Sequence, residues 1–94
     1  MDHHAEKSIN KLDRTDTNVC VSGTVIVKNH EFFVIDDGTG QIQINFNQEF
    51  SGDYVRVFGR LIPYEEGMQV NALIVQDFNK IDKVLYNKIK EIIK

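Results

Sequence analysis

From Asn18 to Gln76 the chain is a series of five short stretches with apolar residues at alternate positions, and the gaps between them are too small to hold a helix. Side chains on a strand point alternately to opposite faces, so a period of two marks sheet with one face buried. Joining parallel neighbours takes a crossover of about a dozen residues or more. The longest gap here, Asn47 to Asp53, has seven residues. Sequential strands must therefore join through tight turns, which points to an all-β domain.

The first stretch runs from Asn18, with Val19, Val21, Val25 and Val27 alternating with Cys20, Ser22, Thr24 and Ile26 about Gly23. A glycine inside a long strand marks a bulge or sharp bend, which lets one strand serve two sides of a small barrel. Asn29-His30 turns the chain into Glu31–Asp36, and Asp37-Gly38-Thr39-Gly40 turns it again into Gln41–Phe46, where isoleucines and a phenylalanine face in and amides face out. Tyr54–Leu61 forms a fourth strand with Gly59 near its end, and the turn at Pro63–Gly67 leads into Met68–Gln76. Ser8–Leu12 is expected to pack Ile9 and Leu12 on this unit.

A long bent first strand, a tight second turn and a glycine-broken fourth strand predict an OB-fold, a five-stranded Greek-key barrel, with an SH3-like barrel as the rival. The expected organisation is a partly flexible N-terminal arm over 1–17, the barrel over 18–78 and a C-terminal α-helix over 79–94, with Asn79 as its N-cap. Ile81, Val84, Leu85, Tyr86, Ile89, Ile92 and Ile93 cover roughly 200° of that helix, about twice the stripe one core needs. Lys88 interrupts the arc and would have to snorkel outward. One reading lays the helix only on the barrel's open end. The other, favoured by the width of the arc, makes Ile81, Val84, Leu85, Ile89, Ile92 and Ile93 a subunit interface, best buried among three helices.

Charge bears on the partner. The formal net charge is −3, but the barrel region from Asn18 to Asn79 has three basic residues (Lys28, Arg56, Arg60) against eight acidic ones. The helix from Lys80 onward has five lysines against Asp82 and Glu91. Nucleic-acid affinity comes largely from cations displacing counterions from phosphates. An acidic barrel is poorly suited to do that alone. No stretch is long and apolar enough for a membrane span or a secretory signal, and the single cysteine has no intrachain partner. A reducing compartment, cytosol or nucleus, is the expectation.

An OB barrel binds single strands across its second and third strands, between the loops joining strands one to two and four to five. Lys28, Phe32, Gln43, Asn45, Arg56 and Tyr64 are the weak candidates for such a site. Alternatively Phe32 and Val34 are covered by the arm or a partner, and the amides are simply solvated. Asp36-Asp37 reads as a turn former, since aspartate bonds its own backbone there. His3-His4 lacks a third metal ligand, His30 sits alone in a turn, and Cys20 reads as a buried thiol with no companion base. No catalytic constellation, metal site or cofactor loop is present, so neither an enzyme nor a small-molecule substrate is expected.

Several of these segments together resemble the family of the smallest subunit of replication protein A, the heterotrimer that coats single-stranded DNA. The carriers are Val19-Cys20-Val21-Ser22-Gly23, Phe33 to Gly40, Phe50-Ser51-Gly52, Val55 to Leu61, and Leu85-Tyr86-Asn87 with Ile92-Ile93, within about 75 residues. The resemblance implies a nuclear, mainly structural subunit acting in DNA replication, repair and recombination. Its helix would join helices of the larger subunits in a three-helix bundle, and DNA contact would fall mostly to the largest. A free-standing single-strand-binding module and the small subunit of a telomere-capping complex are the alternatives.

Overall fold

The computed structural model describes residues 6–65 and 67–77, and its five strands follow the five alternating stretches. They are β1 (Asn18–Lys28), β2 (Phe32–Asp36), β3 (Gln41–Asn45), β4 (Tyr54–Tyr64) and β5 (Gly67–Asp77). They form one closed barrel in the order β1-β2-β3-β5-β4, with β4 returning to β1. All neighbours are antiparallel except β3 and β5, which run parallel through Gln43–Gln69, Ile44–Val70 and Asn45–Asn71. This is a small OB-like barrel. The helix expected over 79–94, and with it Ile81, Val84, Leu85, Ile89, Ile92 and Ile93, lies outside the described residues.

Alternation fills the interior. Val19, Val21, Phe33, Ile35, Ile42, Ile44, Val55, Val57, Leu61 and Val70 point inward and are buried, and Ile9 and Leu12 join them from the segment ahead of β1. Ile9–Lys11 is a single 3-10 turn. From Glu6 onward that segment is tied to the barrel, not free of it. The Lys7 amide donates to the Cys20 carbonyl at 3.0 Å, the Ile9 amide to Asp37 Oδ2 at 2.8 Å, the Asn10 amide to Thr39 Oγ1 at 3.2 Å, and the Leu61 amide to the Thr17 carbonyl at 2.7 Å. One end of the barrel is filled by Phe46 and Phe50 from the loop between β3 and β4. Their rings lie 6.5 Å and 4.6 Å from that of Phe33.

Three details depart from simple alternation. In β1 the register slips between Val25 and Val27, so Val27 moves to the outer face opposite Val34 and is 48% exposed. An inserted residue leaves its neighbours on the opposite side from the one counting by twos assigns. Cys20 and Ser22 are buried along with Val19 and Val21, but they lie on the outer face, under the segment that starts at Glu6. Strand β4 also runs three residues past Leu61, so Pro63 and Tyr64 pair with Met68 and Gly67 and are not part of the turn. The Leu61 amide points toward Thr17, on the β1 side. The Pro63 nitrogen, two residues on, points the same way, beyond the start of β1, where no ladder hydrogen bond is required.

Candidate nucleic-acid interface

Directly paired residues share a face, so the register traces rows of outward side chains around the barrel. One row runs Phe32, Asn45, Asn71, Arg60, Asn18, and the next runs Val34, Gln43, Gln69, Ile62. Four amides meet where β3 and β5 lie side by side. The Gln43 amide nitrogen donates to Asn45 Oδ1 at 3.0 Å, and Asn45 Nδ2 donates to Gln69 Oε1 at 3.0 Å and to Asn71 Oδ1 at 2.9 Å. Both protons of Asn45 are thereby used within the cluster. Among the described residues, the Gln43 oxygen and the Gln69 and Asn71 amide nitrogens have no partner. They leave an acceptor and two donor groups on an otherwise fixed polar strip.

Beside the strip, Tyr64, Glu65, Gly67, Met68, Gln43 and Gln69 line an open cleft of about 410 Å³. Tyr64 is 53% exposed there. Arg14 reaches the same rim from the N-terminal segment, with its guanidinium donating to the Gly67 carbonyl at 3.0 Å and to that of Glu65 at 3.5 Å.

Of the six candidates from sequence, the structure brings together Phe32, Gln43, Asn45 and Tyr64 on or beside this face. The two candidate cations are placed differently. Lys28 Nζ donates to the Phe50 carbonyl at 2.7 Å and lies 4.1 Å from the centre of its ring, a cation–π contact at the plugged end of the barrel. Arg56 is half-buried on the β1–β4–β5 wall, paired in register with Ser22 and Gln76, and its Nε lies 3.5 Å from Glu6 Oε1. Glu6 also accepts the Ser22 hydroxyl proton. The cation that does share the amide rows is Arg60, which is exposed. Sequence reasoning missed Arg60, Gln69 and Asn71. The available signal was their alternation, Gln69-Val70-Asn71 repeating the pattern of Gln43-Ile44-Asn45, but the parallel pairing that joins them is long-range.

Other candidates act structurally. Asp36 Oδ1 accepts from the Gly38 amide at 2.7 Å, and Asp37 Oδ1 accepts from the Thr39 amide and hydroxyl at 2.8 and 2.6 Å and from the Gly40 amide at 3.2 Å. Partial burial pushes the Asp37 carboxyl up, but the Thr39, Ile9 and Gly40 hydrogen bonds together hold it below the ordinary aspartate value. Burial first, and then Glu6, push the Cys20 thiol up, with Arg56 opposing. His30 is exposed in the β1–β2 loop, while His3 and His4 lie outside the described residues. Among the described residues no group of three or more His, Cys, Asp or Glu could hold a metal ion, and no helix is long and apolar enough to cross a membrane.

The fold and this face define a small OB-like barrel with an amide-lined outer sheet. A solved structure of the same kind is the hypothetical protein YgiW from E. coli, 15% identical, which matches 77% of this chain and 88% of its own with a TM-score of 0.64. That likeness carries the fold. No protein-family model matches the chain, and no curated protein matches it in sequence.

Proposed function

We propose that this protein is a small structural subunit of a replication protein A-like single-stranded-DNA-binding complex. In this reading it works in the nucleus in DNA replication, repair and recombination, without catalysis of its own, and its C-terminal residues join it to the larger subunits. The observation that carries the reading is the fate of the candidate cations. Lys28 is engaged by Phe50 and Arg56 by Glu6, so the set a free-standing binder would need does not assemble. Single-strand affinity depends steeply on the number of phosphates neutralised. A barrel so equipped is better suited to scaffold a complex than to hold a strand by itself. The acidic balance of the barrel region and the resemblance of its segments to the smallest-subunit family support the same reading.

The test is capture from the source cell, with the full chain beside a copy ending at Phe78 and partners identified by mass spectrometry. Recovery of large single-strand-binding subunits by the full chain alone is the expected result. Recovery of telomere proteins moves the assignment to a capping complex. Failure of both copies to retain any partner overturns the assembly reading.

A further inference from the structure

We infer that the β3–β5–β4 face is a contact site for single-stranded nucleic acid, with the amide strip meeting base edges, Tyr64 stacking a base, and Arg60 meeting a flanking phosphate. The inference rests on the reading of the chain as a member of a single-strand-binding complex and names where the barrel itself touches the strand. It places the centre of contact at the parallel β3–β5 seam, away from Lys28 and Arg56.

The distribution of charge is the first argument. The barrel region is acidic overall, but its described acids sit at the ends and in the loops: Glu31, Asp36, Asp37, Glu49, Asp53, Glu65 and Asp77. Along the rows from Phe32 to Asn18 and from Val34 to Ile62 the one charged residue is Arg60. Within these two rows the formal charge is therefore positive, against the barrel's negative total, while Glu65 lies at the cleft rim beside Tyr64. The second argument is chemical. A carbonyl on Gln43 and amide nitrogens on Gln69 and Asn71, without partners among the described residues, present the alternating acceptor and donors that base edges match. Asn45 holds the strip rigid, which limits the side-chain entropy lost on binding. The third is stacking, for which an exposed Tyr64 beside an open cleft is suited.

The site is small, so binding by the isolated chain is weak and is best read by NMR. Titration of the full chain with a six-nucleotide DNA single strand is expected to shift the side-chain amide signals of Gln43, Asn45, Gln69 and Asn71 in a saturable way. With one phosphate neutralised, affinity should fall roughly 2.6-fold between 50 and 200 mM salt, and Arg60→Gln should lower the salt slope by about 0.7. Tyr64→Ala should weaken binding by roughly fivefold or more, while Tyr64→Phe keeps it. Arg60 and Tyr64 are exposed, so these variants are expected to fold, as unchanged backbone spectra would verify. Shifts centred on Lys28 or Arg56, no shift at saturating oligonucleotide, or a neutral oligosaccharide moving the same amides more strongly would each overturn the inference. Capture of partners is read separately. Arg60→Gln retaining its partners while showing the weaker, less salt-dependent strand binding supports this face, and strand binding without partner capture sinks only the assembly reading.

Discussion

At Gly59 a Cβ would lie 2.3 Å from the Asn71 carbonyl oxygen and 2.9 Å from the Ala72 Cα, both backbone atoms that cannot swing aside. The residue stands where the β4–β5 register slips, so that Phe58 pairs with Ile74 and Gly59 with Ala72, leaving Leu73 as the extra residue, 68% exposed. Gly23 has a similar constraint, with the Asp36 carbonyl oxygen 2.7 Å from where its Cβ would be. In β1, then, the glycine marks a close approach and the bulge comes a few residues later, at Val25/Val27. Gly59→Ala is expected to force β4 and β5 apart and to cost about 1–3 kcal/mol, the usual range for overpacking. For a domain of this size that is a fall in melting temperature of roughly 4–8 °C per kcal/mol, measurable by thermal denaturation. An unchanged midpoint would mean that the seam yields at no cost. Because Asn71 sits directly against Gly59, the same variant should also disturb the amide strip, which side-chain amide spectra would register.

The segment over residues 6–17 is docked by the burial of Ile9 and Leu12 and by the Asp37 carboxylate, and is braced internally by Asp13 and Asp16, so part of its hold is sensitive to acid. The Thr15 amide and hydroxyl hold Asp13 below the ordinary value of 3.8, and the Asp13 amide and then Lys7 do the same for Asp16. Asp37, which anchors Ile9, is lowered as well. A lowered folded-state pKa adds stability that is present above the unfolded value and disappears as pH falls through the folded one. Loosening is therefore expected below about pH 4. Cys20 reports it, because the Glu6–Lys7 backbone lies over it and leaves it 2% exposed. Its reaction with dithiodipyridine, a reagent that works in acid, should accelerate below that pH relative to its rate near pH 5, while far-UV circular dichroism still reads a folded barrel. A flat rate profile would mean that Ile9 and Leu12 hold the segment without the carboxylates. The strands were legible in the sequence because alternation is local, and so was the burial of Ile9 and Leu12. The docking of Glu6 and Lys7 was not legible, since their partners Cys20 and Ser22 belong to a face that alternation alone assigns to solvent. The amide strip was half legible for a related reason. Gln43 and Asn45 stand out within β3, but only the parallel seam brings Gln69 and Asn71 to them.

For the whole molecule, the decisive relation is between the closed barrel and the residues that follow it. Among the described residues the core draws on side chains from Ile9 to Val70, and the strand order closes through β1 and β4 without anything beyond Asp77. A barrel of this kind has internal reasons to fold by itself, so a copy ending at Phe78 is expected to unfold in urea in one cooperative transition. The wide apolar arc over 79–94 would then be surplus to the barrel's folding, with another chain or the barrel's outside left to bury it. Leu85→Ala and Ile92→Ala in the full chain separate the two cases. If the arc packs on a partner, each variant leaves the urea midpoint of the isolated chain unchanged while weakening partner capture. If it packs on the barrel, each costs the isolated chain about 2–5 kcal/mol, the range for emptying a buried aliphatic site. A copy ending at Phe78 that fails to fold would join that second outcome in assigning the arc to the domain's own core, and the scaffold role would then have to rest on the outer sheet.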